Sequence, residues 1–135
     1  MQKTRPIKVL MAQFPLESHS RGLITVSGML KDAGMEVVLI GNELPERIID
    51  TAVQEDVDVI GISTYCGGEL ALGTDLMQAA AERGIKDRTV FLIGGIFPPQ
   101  NIEKLKKLGF SGTFLTATKE EITDCINEAI SARRN

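Results

Sequence analysis

The segment Glu17-Ser18-His19-Ser20-Arg21-Gly22 holds the only histidine of the chain. A neutral imidazole ligates a metal through one ring nitrogen. A carboxylate two residues away can accept a hydrogen bond from the other nitrogen and so fix tautomer and ring orientation. A loop histidine taken alone is more often just solvated, so its meaning rests on its surroundings. Three other segments supply them: Ser63-Thr64-Tyr65-Cys66-Gly67-Gly68, Gly94-Gly95-Ile96-Phe97-Pro98-Pro99 and Leu115-Thr116-Ala117-Thr118. Paired glycines remove side chains where backbone turns sharply or something flat must come close. Either pair alone reads equally well as a tight turn, and Ser63 as a turn cap. Together they describe a slot with little side-chain bulk, suited to a planar or extended ligand.

The elements that must position these segments alternate strictly. Strands are predicted over 7–12, 36–40, 57–63, 89–94 and 112–115. Helices follow over 22–33, from Pro45, over 69–83, 99–108 and 119–132. The first helix carries Leu23, Val26, Met29 and Leu30 on one face, Pro45 opens the second as a first-turn proline, and Gly34, Gly84 and Gly109 close helices. Five strand-helix units imply parallel pairing and right-handed crossovers. The expected fold is an α/β flavodoxin-like (Rossmann-like) three-layer domain, a five-stranded sheet in the order 2-1-3-4-5 with helices on both faces. In such a sheet the loops after strands one, three, four and five share the carboxyl edge, where these folds bind ligands. The four segments above are those loops.

The 135 residues fit a single domain, 1–135, with a sizeable core. A net charge of −3 gives no basic field for nucleic acid or an anionic membrane, and one Tyr with no Trp gives no stacking platform for single strands. No apolar run approaches the roughly 20 residues of a membrane span. The first residues carry no signal-peptide core, and Cys66 and Cys125 lack metal-site spacing, so both read as free thiols and the expected location is the cytoplasm. A receiver domain would need an acidic cluster after strand one and an Asp ending strand three, where Ser63 stands. A flavodoxin would need a hydroxyl-rich phosphate loop and flanking aromatics, which Pro15-Leu16-Glu17-Ser18-His19 does not offer.

The chain resembles the cobalamin-binding domain of adenosylcobalamin-dependent acyl-CoA mutases of the methylmalonyl-CoA mutase type. That family's pattern is Asp-x-His-x-x-Gly, then Ser-x-Leu, then Gly-Gly. The matches here are Glu17-x-His19-x-x-Gly22, Ser63-Thr64-Tyr65 and Gly94-Gly95, and the similarity runs along essentially the whole chain.

The resemblance implies that His19 binds cobalt on the lower corrin face, displacing the cofactor's own dimethylbenzimidazole, with Glu17 orienting the imidazole. Ser63 would hydrogen-bond the buried base, and Gly94 and Gly95 would leave room for the nucleotide tail. Tyr65, Gly67 and Thr116 would line the slot, Ser18, Ser20 and Arg21 would border the corrin, and Gly22 and Phe97 would belong to the same cofactor site. The cofactor supplies the radical chemistry that rearranges the substrate's carbon skeleton. The acyl-CoA site would lie on a separate large TIM-barrel subunit docked at the carboxyl edge, leaving this chain inactive alone. A corrinoid methyl carrier or a non-catalytic cobalamin-binding protein is the alternative. Four positions depart from the pattern: Glu17 for Asp, Ser18 for Gly, Ser20 for a frequent Asp, and Tyr65 for Leu.

Overall fold

Each apolar run of the sequence becomes a strand, and each amphipathic stretch becomes a helix that covers the sheet. A computed structural model describes residues 5–17, 20–65, 67–115 and 117–134. Its strands are β1 (Lys8–Gln13), β2 (Glu36–Asn42), β3 (Val59–Thr64), β4 (Val90–Gly95) and β5 (Gly112–Phe114). Its α-helices are α1 (Arg21–Asp32), α2 (Pro45–Glu55), α3 (Glu69–Glu82), α4 (Gln100–Leu108) and α5 (Lys119–Arg134). All pairings are parallel and the order is β2-β1-β3-β4-β5, as expected. No helix among the described residues is long and apolar enough to cross a membrane.

Because strand side chains alternate between faces, the buried strands build two cores. On one face Val9, Met11, Val59, Val90 and Leu92 pack with Leu23 and Leu30 of α1 and Ile122 and Ile126 of α5. On the other, Leu10, Ile60, Ile62, Phe91 and Ile93 pack with Ile48 of α2, Leu76 of α3 and Leu105 of α4. The second face is filled to the carboxyl edge by Phe14 and Phe97. The first face is not. There β3 reads Val59, Gly61, Ser63 and β4 reads Val90, Leu92, Gly94, so side chains shrink toward the edge.

Strand boundaries differ from expectation where they matter. β2 continues past Ile40 to Asn42, through a register irregularity in which Met11 pairs Leu39 but Ala12 pairs Gly41. Such a bulge shifts which face the following side chain meets, and it brings Asn42 to the loop after β1. β3 starts at Val59 rather than Val57. Asp58 instead accepts the Lys8 backbone N–H at 2.9 Å, tying the amino ends of β1 and β3.

At the opposite end β3 and β4 pair up to Thr64 and Gly95. Gly95 has φ +147°, and a Cβ there would lie 1.7 Å from the Thr64 carbonyl oxygen. Backbone strain and a backbone clash coincide at one buried position. Gly95→Ala should therefore lower stability by roughly 2–4 kcal/mol in urea unfolding. A change below about 0.5 kcal/mol, the range of an ordinary surface substitution, would refute the close approach.

Candidate functional site

The taper on the α1/α5 face leaves a crevice of about 610 Å³, open solvent at its mouth included. Its floor is apolar, with Met11, Leu23, Leu92 and Ile122, and its upper wall is small, with Ser63 and Gly94. Sequence explains the shape: at positions 63 and 94 the alternation that builds the core presents serine and glycine, so little side-chain bulk fills the space between the sheet and α1 and α5. Ser63 pairs Gly94 across β3 and β4, which sets a hydroxyl beside a bare backbone. Ser63 Oγ makes no hydrogen bond among the described residues. A Cβ on Gly94 would come 3.3 Å from the Phe114 carbonyl oxygen. An apolar slot with one hydroxyl at its narrow upper wall suits a flat, mostly apolar base better than a phosphate or a charged group.

The loop that leads to the histidine is held from two sides. The Glu17 side chain, 7% exposed, turns inward to β3. Its Oε2 accepts the Thr64 hydroxyl at 2.8 Å and the Tyr65 backbone N–H at 2.6 Å. Both bonds are charge-assisted and short. From the other side Asn42 Nδ2 donates to the Phe14 carbonyl at 3.1 Å and the Glu17 carbonyl at 2.8 Å. The chain therefore enters the 18–19 segment from a fixed point, above β1 and between β2 and β3. The extra methylene of Glu17 over an Asp is the length that lets its carboxylate reach β3.

Ser18, His19, Cys66 and Thr116 lie outside the described residues, and with them the expected Glu17–His19 contact. Ser20 and Arg21 stand exposed at the start of α1. Gly22, Ser63, Tyr65, Gly94 and Gly95 all line the crevice. Two residues expected at the cofactor site stand away from the crevice. Phe97 is buried in the α2–α4 core, because the chain leaving Gly95 turns Ile96 out to 70% exposure and Phe97 under the opposite face. Gly67 occupies an exposed left-handed turn at φ +83°, away from the crevice wall.

Asn42 and Thr64 are the residues that sequence reasoning missed. Asn42 lies beyond the strand predicted over 36–40, and only the bulge carries it onward. Thr64 falls inside the loop segment after strand three, where the sequence gives it no role of its own. Cys125, a free thiol on α5, plays no part in the wall. Burial, and then the neighbouring Glu128 carboxylate, push its thiol above the ordinary value. Among the described residues no three His, Cys, Asp or Glu side chains converge as ligands for a bare metal ion.

Comparison with known proteins fits this geometry. Residues 7–126 match the B12 binding domain family. The chain is 38% identical over 130 residues to the 2-hydroxyisobutanoyl-CoA mutase small subunit of Aquincola tertiaricarbonis, covering 95% of each. It is 36% identical over 126 residues to the pivalyl-CoA mutase small subunit of Xanthobacter autotrophicus, covering 91% of this chain and 83% of that one. Among solved structures, a cobalamin-binding protein from Desulfitobacterium hafniense superposes with a TM-score of 0.77 at 20% identity. That match covers 90% of this chain and 58% of the other, and at such identity it speaks for the fold alone. The chain belongs to the B12-binding domain family and, within it, to the acyl-CoA mutase small-subunit group.

Proposed function

We propose that this chain carries adenosylcobalamin for an acyl-CoA mutase whose substrate site lies on a separate large subunit. The observation that carries the reading is the tapered crevice at the edge where Glu17 anchors the loop after β1. His19 is the cobalt ligand on the lower corrin face, and the displaced benzimidazole with its nucleotide tail enters the crevice (base-off, His-on). Ser63 Oγ hydrogen-bonds the base, and Gly94 and Gly95 leave room for the tail. Ser18, Ser20, Arg21 and Thr116 border the corrin and the mouth. Glu17 acts through the loop: tied to β3, it fixes where the histidine segment begins. When bound, the cofactor supplies the hydrogen-abstracting radical chemistry of the rearrangement.

In this reading the acyl-CoA is bound by the partner, and the chain is inactive without it. A TIM-barrel subunit closes over the carboxyl edge, where Leu16, Ile96 and Leu115 are 90%, 70% and 46% exposed. Large apolar side chains grouped at one rim suit a surface that is covered in the assembly. The relatives' names, 2-hydroxyisobutanoyl-CoA and pivalyl-CoA mutase small subunits, favour a short branched or hydroxylated acyl-CoA as substrate. The cytoplasm, where acyl-CoA is made and used, is the proposed compartment.

Cobalamin titration of the chain, alone and with its large subunit, tests the assignment by absorption and, after reduction to Co(II), by electron paramagnetic resonance. Wild type should show a base-off spectrum with nitrogen coupling from protein, and His19→Ala should lose that coupling. Spectra identical to free cofactor with both subunits present would overturn the reading.

Glu17→Ala leaves a buried hydroxyl and a backbone N–H without their acceptor. It should destabilise the fold by about 1–3 kcal/mol and weaken cobalamin binding roughly 10–100-fold. Unchanged affinity in a folded Glu17→Ala protein would show that the anchor does not set the histidine loop.

A further inference from the structure

One level of the sheet closes the crevice at its deep end. There Met11 pairs Gly61, Gly61 pairs Leu92, and Leu92 pairs Gly112. Large and bare positions alternate along this rung, and each large side chain lies over the glycine beside it. A Cβ built on Gly61 would fall 2.6 Å from Met11 Sδ and 3.3 Å from its Cε. One on Gly112 would fall 2.9 Å from Leu92 Cδ2, with Cys125 Sγ and Phe114 Cε2 as close. Met11 and Leu92 are thus laid flat, buried, and both line the crevice. The next level toward the edge carries Ser63 and Gly94, about 6.6 Å farther along β3 for two residues of parallel strand.

A base of two fused rings spans such a step in one orientation. Its nitrogen edge meets the Ser63 hydroxyl, and its carbocyclic edge meets Met11 and Leu92, which offer no hydrogen bond. A thioether makes favourable contacts with the edge of an aromatic ring.

We propose that Met11, laid over Gly61, is the seat on which the far edge of the lower base rests, and that this pair sets how deep the nucleotide tail enters. The proposal rests on the cobalamin reading and deepens it, adding a second contact below Ser63. Gly61 keeps the seat low. Val9 and Val59 fill the level beneath, so a side chain at position 61 lifts the thioether into the crevice. The atoms displaced are the far end of a flexible chain, and the strand can keep its path.

Equilibrium dialysis of the two-subunit complex against adenosylcobalamin and adenosylcobinamide, which lacks the tail, separates this seat from the corrin contacts. Gly61→Ala should weaken adenosylcobalamin about tenfold or more, by overpacking the seat, and leave adenosylcobinamide unchanged. Met11→Ala should weaken adenosylcobalamin roughly 2–10-fold, again sparing adenosylcobinamide. The double variant should bind as Met11→Ala does, since no thioether is left to displace. Two independent losses of core packing would instead add.

Unchanged adenosylcobalamin affinity in either folded single variant would overturn the seat, and Met11→Ala carries the test if Gly61→Ala does not fold. A parallel loss for adenosylcobinamide, or a double variant weaker than Gly61→Ala, would overturn it too. A wild-type complex that binds both corrinoids equally, or neither, would instead remove the tail reading, and the seat with it.

Discussion

The buried carboxylate of Glu17 is the contact on which the site's geometry depends. A carboxylate removed from water must be compensated by hydrogen bonds, and here the donors are the Thr64 hydroxyl and the Tyr65 N–H at the end of β3. One side chain thereby locks the loop after β1 to the strand that carries Ser63. Asn42 locks the same loop to β2 through two carbonyls. Neutral hydrogen bonds contribute about 1 kcal/mol each and those to charged groups more. The tie is therefore modest against the whole fold but large against the freedom of a short loop. It turns a flexible connection into a platform with a defined starting point.

The crevice comes from the opposite kind of cause, a lack of bulk. Parallel strands covered on both faces have to be apolar throughout, and most of this sheet is. On the α1/α5 face the alternation ends in Gly61, Ser63 and Gly94, and the helices that cover Val59, Val90 and Leu92 have nothing to rest on nearer the edge. Dense packing farther down, around Leu30 and Ile126, holds α1 and α5 apart from the sheet at the mouth. The crevice is thus framed by the packed lengths of α1 and α5 and by the small side chains of the sheet beneath them.

Several residues carry different work from that suggested by their place in the sequence. Gly22 enters the sequence as the last residue of the histidine motif, yet its missing side chain accommodates the Tyr65 hydroxyl. Phe97 sits beside the Gly94-Gly95 pair in sequence but belongs to the other face, because the turn after Gly95 reverses its direction. Asn42 follows a glycine in what reads as a turn, and a bulge in the β1–β2 register makes it a loop anchor. In each case the deciding contact joins residues from different units of the chain, and no local pattern encodes it.

The sequence by itself determined the alternation of strands and helices, the parallel sheet, its order, and the gathering of four loops at one edge. These follow from period-2 and period-3.6 apolar patterns and from the handedness of crossovers, which are local or nearly so. The same patterning sets part of the chemistry available at that edge, since Ser63 and the Gly94-Gly95 pair stand at strand ends whatever their exact contacts. Only the tertiary structure decided where Glu17 points, which hydroxyl faces the crevice, and that Tyr65 bridges to Gly22. Those outcomes depend on register to within one residue and on side-chain torsions. A single bulge changes the first, and contacts between residues more than 40 positions apart, such as Glu17 with Thr64, select the second.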